Sequence, residues 1–237
     1  MATRVLFEIC VESLNHAVAS ERGGAGRIEL CQDLSCGGVT PTADLMRAVR
    51  QQISIPIHAL IRPCAGNFCY SAHEFETMKH DVAIAKEIGL NGLVLGMLDA
   101  TGQVDRERTG ALIRLAHPLP VTFHRAFDQC PDLNVALEAV IAAGATRILT
   151  SGGKSSAEDG LDNLIELITR AGDRIVIMPG GGVRSENVER ILRSTGAREI
   201  HTSLGVSDPK SRSARDITFF AEEVRRFKQA LDARLGA

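Results

Sequence analysis

The chain has 237 residues, 44% hydrophobic and 24% charged, and a net charge of −2. That is enough apolar chain to bury a large core, and the charge balance excludes an electrostatic footprint for nucleic acid or an acidic membrane surface. No apolar run approaches the ~20 residues that cross a bilayer, so a membrane span is excluded too.

The first strand is expected at 4–10, "RVLFEIC", reached directly from "MAT". No charged, apolar and small-residue segments follow one another as in a signal peptide, and the protein is expected in the cytoplasm. A recurring phrase then sets the rhythm: "GAGRIEL" (24–30), "GLNGLVL" (89–95), "GATRILT" (144–150) and "GAREIHT" (196–202). In each, a glycine suits the left-handed residue that closes a helix, and the β-prone run after it suits a buried strand. Further strand candidates lie between the repeats, at 55–63 "IPIHALIRP", 119–126 "LPVTFHRA" and 174–181 "RIVIMPGG". Helical spacing of apolar residues marks 133–141, 163–169 and 187–193, with longer amphipathic runs at 71–88 and 218–235. Strands alternating with helices demand parallel pairing. Eight such units without a linker predict one domain over residues 1–237, a closed TIM (β/α)8 barrel. A doubly wound open sheet would begin with a glycine-rich loop after the first strand, and "EICVESLNHA" has none.

In a barrel, residues at the C-terminal ends of the strands meet at one mouth. The groups expected there are Glu8 and Cys10, Glu29 and Cys31, His58 and Arg62, then His124, Arg125 and Asp128 of "VTFHRAFD", and His201 with Ser203. Glu8, Glu29, Arg62, His124, Arg125, Asp128 and His201 are the candidate catalytic groups, because imidazoles and carboxylates exchange protons and guanidinium forks grip anions. Thr150 and Ser151, the run Gly180-Gly181-Gly182 and Ser203 are the candidate anion-binding groups, with Ser185 read as starting the helix after the glycines. Of the six cysteines, none forms a C-x-x-C pair, and free thiols are expected. Cys10 and Cys31, at equivalent ends of neighbouring strands ~4.8 Å apart, are the candidate ligands of a soft ion such as Cu(I), against the alternative of two inert buried thiols.

The motifs "RIELC", "GGVTP", "IRP…F.YS…E", "TFHRAFD", "RILTSGG" and "GGGV…N" occur in this order over nearly the whole chain. In them the sequence resembles the CutC family, described as copper homeostasis proteins. The resemblance implies a TIM barrel, a cytoplasmic location, self-association with a dimer favoured, and binding or distribution of Cu(I), with Cys10 and Cys31 as the suggested ligands. No organic cofactor is expected, and the expected partner is a copper ion or a small anionic molecule. The alternative is an isomerase, lyase or hydrolase acting on a small phosphorylated or carboxylated substrate at the mouth. The sequence departs from the family pattern at Cys64, where an arginine is usual, and at Asn67 and Gly26, where aspartates are usual. Cys64 could add a third thiol near the mouth.

Overall fold

The four glycines of the recurring phrase all take left-handed φ values: +93° at Gly24, +81° at Gly89, +93° at Gly144 and +66° at Gly196. Each follows a helix and releases the chain into a strand, as the sequence pattern requires. The molecule is described by a computed structural model covering residues 5–233. Arg4, expected in the first strand, and residues 234–235, expected in the last helix, lie outside it.

In chain order the elements are β1 (Leu6–Val11), α1 (Leu14–Arg22), β2 (Arg27–Leu30), α2 (Ala43–Gln52), β3 (Ile57–Leu60), α3 (Ala72–Ile88) and β4 (Gly92–Leu95). Then come α4 (Arg106–Ala116), β5 (Val121–Phe123), α5 (Leu133–Ala143), β6 (Arg147–Thr150), α6 (Leu161–Ala171), β7 (Val176–Pro179), α7 (Val188–Thr195), β8 (Glu199–Thr202), α8 (Arg212–Arg215) and α9 (Ile217–Ala233). All strand pairs are parallel, in the order β7-β6-β5-β4-β3-β2-β1-β8. This is the TIM barrel expected, with one seam: no ladder pairs β7 with β8 among the described residues. Helix α3 begins where its sequence dictates, because Ser71 caps it and Glu74 reaches back in a capping box. Helix α7 begins at Val188, with Asn187 at its cap, so Ser185 lies in the turn before it rather than at the helix start.

Strand alternation sends apolar side chains outward, where the helices cover them. Phe7, Ile9, Val11, Ile28, Leu30, Ile57, Phe123 and Ile200 are at most 2% exposed. The inward positions are another matter. Barrel interiors are ordinarily filled by layers of branched apolar residues. Here Glu8, Arg27, His58, Thr122 and Arg147 are buried, and Glu199 is 14% exposed. Arg27 donates to Glu8 through Nε and to Glu199 through Nη2 at 2.7 Å. Arg147 donates twice to Glu199, at 2.6 and 3.0 Å. Thus β6 and β2 both grip β8, and the seam is bridged by ion pairs where it lacks a ladder.

Small residues make room for this polar interior. A Cβ on Gly92 would collide with the His58 ring on the neighbouring strand. Gly92→Ala is therefore expected to cost about 1–3 kcal/mol, the usual penalty of overpacking. Urea unfolding checks this, and the loss should shrink when His58→Ala is added; an undiminished loss in the double variant would show that the collision is not the cause.

Candidate functional site

Above the ion-pair layer the barrel opens into a cavity of about 250 Å³. Cys10, Glu29, Arg62, His124, Arg125, Gly181, Gly182, His201 and Ser203 line it. These come from the ends of β1, β2, β3, β5, β7 and β8, which is the convergence expected from the topology. Cys31, fully buried against Cys10, is not on its wall, and neither are Glu8, Asp128, Thr150, Ser151 and Gly180.

Each of these last five has another task. Glu8 is fully buried beneath the cavity between Arg27 and His201, whose Nδ1 lies 2.8 Å from its Oε1. Asp128 gathers the loop after β6: it accepts from the Thr150 hydroxyl, the Ser151 and Gly153 backbone N–H groups, the Ser151 hydroxyl and Arg125 Nε. Thr150 and Ser151 are consequently buried as partners of Asp128. The room left by the three glycines is taken by the chain's own groups. A Cβ at Gly180 would meet Leu149 and His201, one at Gly181 would sit 3.1 Å from the Arg125 guanidinium, and one at Gly182 would sit 3.3 Å from Ser156. Part of the close approach that the glycine run signals is thus internal packing, while Gly181 and Gly182 also face the cavity.

The two cysteines do meet, though in a register different from the one expected. Cys10 pairs across the ladder with Glu29, not with Cys31, which lies beyond the end of β2. The staggered thiols nevertheless approach to 3.4 Å and are both buried. Cys10 Sγ, a Glu29 oxygen and a His201 ring nitrogen lie within 4.8 Å of one another. Cys64 is elsewhere: its thiol donates to Glu74 at 3.0 Å and does not reach the cavity.

The electrostatics divide this floor sharply. Burial alone would raise Glu8, but Arg27 and His201 outweigh it and hold the carboxyl well below the ordinary range. His201 loses charge stability by burial and regains more from Glu8 and Glu29, so its pKa is raised. Among the described residues Glu29 makes no ion pair with a guanidinium. Burial pushes it up to about 7, against the pull of His201 and with a further push from Glu8. The hydrogen bond to Cys31, then burial, drive the Cys10 thiol well up. At Cys31 that hydrogen bond pulls downward, but burial and the Glu29 charge prevail and it too is raised. Both sulfurs are therefore thiols at neutral pH.

On the opposite side, burial and then the Arg62 charge bring His124 down to about 3, leaving a neutral imidazole. Three buried charges, Arg27, Arg147 and Glu199, were not among the sequence candidates. Strand alternation carries the signal, since Arg27 stands two before Glu29 and Glu199 two before His201.

The family model described as "CutC family" matches residues 5–206. The chain belongs to the CutC family. A relative from Mus musculus named "Copper homeostasis protein cutC homolog" is 48% identical over 211 residues, covering 89% of this chain and 75% of that protein. Its Homo sapiens namesake is 47% identical, covering 91% of this chain and 76% of that protein. The crystal structure of the CutC protein from Streptococcus agalactiae superposes with a TM-score of 0.80 at 33% identity, covering 84% of this chain and 98% of that one.

Glu29 yields a pH test. Its native pKa of about 7 lies above the ordinary 4.5, so the native state holds this proton more tightly than the unfolded chain does. Its contribution is present below about pH 4.5 and is lost as pH rises through about 7. Relative to wild type, Glu29→Gln should therefore gain stability between about pH 4.5 and pH 7 and level off above it, as read by urea unfolding at several pH values. A pH-independent difference would refute the assignment.

Proposed function

We propose that this CutC-family chain handles copper by binding Cu(I) between the Cys10 thiol, on the cavity wall, and the fully buried Cys31 thiol beside it. The observation that carries this reading is the 3.4 Å approach of two buried sulfurs from neighbouring strands. Soft sulfur donors suit Cu(I), whereas carboxylate and imidazole alone would favour harder ions. The names of the curated relatives supply the second support, since they are copper homeostasis proteins.

In this reading each neighbouring group has a role on a stated atom. Both thiols hold protons that the ion must displace. Glu29, close to Cys10 and poised near neutral pH, takes up one of them. Glu8 orients His201 from below through Nδ1. The cavity above supplies the route by which the ion and its carrier arrive, because Cys10, Glu29 and His201 all stand on its wall. Among the described residues no helix is long and apolar enough to cross a membrane. The cytoplasmic location and self-association implied by the family resemblance are part of the same proposal.

Competition titration of Cu(I) into the reduced protein, against a coloured chelator, tests it. Wild type should take up one equivalent, Cys10→Ser/Cys31→Ser should lose affinity by about 100-fold or more, and wild-type affinity should rise about tenfold or more per pH unit as protons are displaced. Equal uptake by both proteins, or affinity independent of pH, would end the proposal at these residues.

A further inference from the structure

Arg62 is a buried cation with no counter-ion among the described residues. It stands just past β3, is 5% exposed, and makes no ion pair with any described residue. The backbone carbonyls of Gly38 (2.8 Å), Cys36 (3.3 Å) and Gly66 (3.3 Å) accept from its Nη atoms, which fixes the guanidinium without neutralising it. Its Nε is buried without a hydrogen-bond partner, and the neighbouring Tyr70 hydroxyl, which feels the guanidinium, is a neutral group that supplies no counter-charge. The cavity's carboxylate, Glu29, interacts with His201 and Arg27 and makes no ion pair with Arg62. Burying a charge in this way is costly unless something compensates it.

A second incomplete group stands beside it. His124 Nδ1 accepts the Ala126 N–H at 3.1 Å, so the proton of the neutral ring sits on Nε2. That Nε2–H is buried and has no acceptor. Buried donors are almost always paired, and two unpaired ones on one wall of one cavity call for a shared acceptor. Phe68 covers both, with its ring 4.7 Å from the Arg62 guanidinium and 4.9 Å from the His124 ring. Its backbone is held at a φ of +65°, a conformation L-residues rarely adopt. Arg184, which makes no ion pair among the described residues, adds a cation to the lining of the same cavity.

We propose that the Arg62–His124 wall of the cavity binds a small oxyanion, a carboxylate or a phosphate, whose oxygens accept from the guanidinium and from His124 Nε2–H once Phe68 swings aside. The anion supplies the missing negative charge and satisfies both orphan donors. This site involves neither the cysteines nor the glycine run, and it calls for binding rather than for a reaction. A cavity of about 250 Å³ restricts the ligand to a small molecule.

The test is calorimetric titration of metal-free, reduced protein at low ionic strength with two probes, inorganic phosphate and malonate. At least one should saturate a single site, and the tighter of the two identifies a tetrahedral or a planar anion as the preferred class. His124→Asn keeps the cap on the Ala126 N–H through its side-chain oxygen and removes the Nε2–H; Arg62→Gln removes the charge. Each should weaken binding by about tenfold or more. If Arg62→Gln does not fold, Arg62→Lys, which keeps the charge and loses the fork, should still weaken it. Failure of both probes to saturate wild type below about 10 mM, or unchanged affinity in His124→Asn, overturns the proposal. Because no metal is present, the result is independent of copper uptake.

Discussion

The barrel interior depends on a chain of buried ion pairs running Glu8–Arg27–Glu199–Arg147. It joins β1, β2, β8 and β6, and it crosses the seam at which β7 and β8 share no ladder. Ion pairs out of water gain little over a well-packed apolar core, and breaking one by removing a single partner is far more costly than never having it. A network of this kind is therefore weak as a general source of stability and strong as a constraint on arrangement. It fixes how β2 and β6 stand relative to β8, around the seam where no ladder joins β7 and β8 among the described residues.

The same network sets the chemistry of the layer above. Glu8 takes the direct contacts of Arg27 and His201, so Glu29 on the neighbouring strand feels both only at longer range, and burial outweighs their pull. Two carboxylates of the same type, a single ladder step apart, are driven in opposite directions: one is firmly ionised, the other titrates near pH 7. The thiols keep their protons for a more local reason: the hydrogen bond with Cys31 and burial hold Cys10 up, burial holds Cys31 up against the pull of that same bond, and the Glu29 charge adds to both. The proton-binding character of the floor thus originates in the burial of the thiol pair and in Glu29, whose own shift the ion-pair layer helps to set.

The barrel was readable because its signal is local and repeated. A glycine, a polar link and a β-run recur, and all four glycines take the left-handed conformation the pattern implies. The convergence of Cys10, Glu29, Arg62, His124 and His201 followed from topology alone. Three things did not. Parallel strands in a barrel are staggered, so Cys10 faces Glu29 across the ladder, and strand-end equivalence gave the right pair by the wrong register. Glycine runs report close approach but not by what; at Gly181 it is Arg125. Finally, the inward charges Arg27, Arg147 and Glu199 break the rule that barrel interiors are apolar, so apolar patterning passed over them even though alternation placed them beside recognised residues.

The two walls of the cavity follow opposite logic. On the floor, charge is conserved if copper enters as proposed: with Glu29 ionised and both thiols protonated, the floor carries one negative charge beyond the network below. Two thiolates around Cu(I) also carry one negative charge, and Glu29 becomes neutral by accepting a displaced proton while the other proton leaves. The buried charge is unchanged, so uptake adds no new desolvation cost. Arg62 has no such internal exchange available. Its neighbours are carbonyls, a neutral imidazole, an aromatic face and the Tyr70 hydroxyl, which burial pushes up to about 12, so none carries a negative charge at neutral pH. A wall that can balance itself suits a cation arriving by proton displacement; a wall that cannot requires its counter-charge from outside the chain.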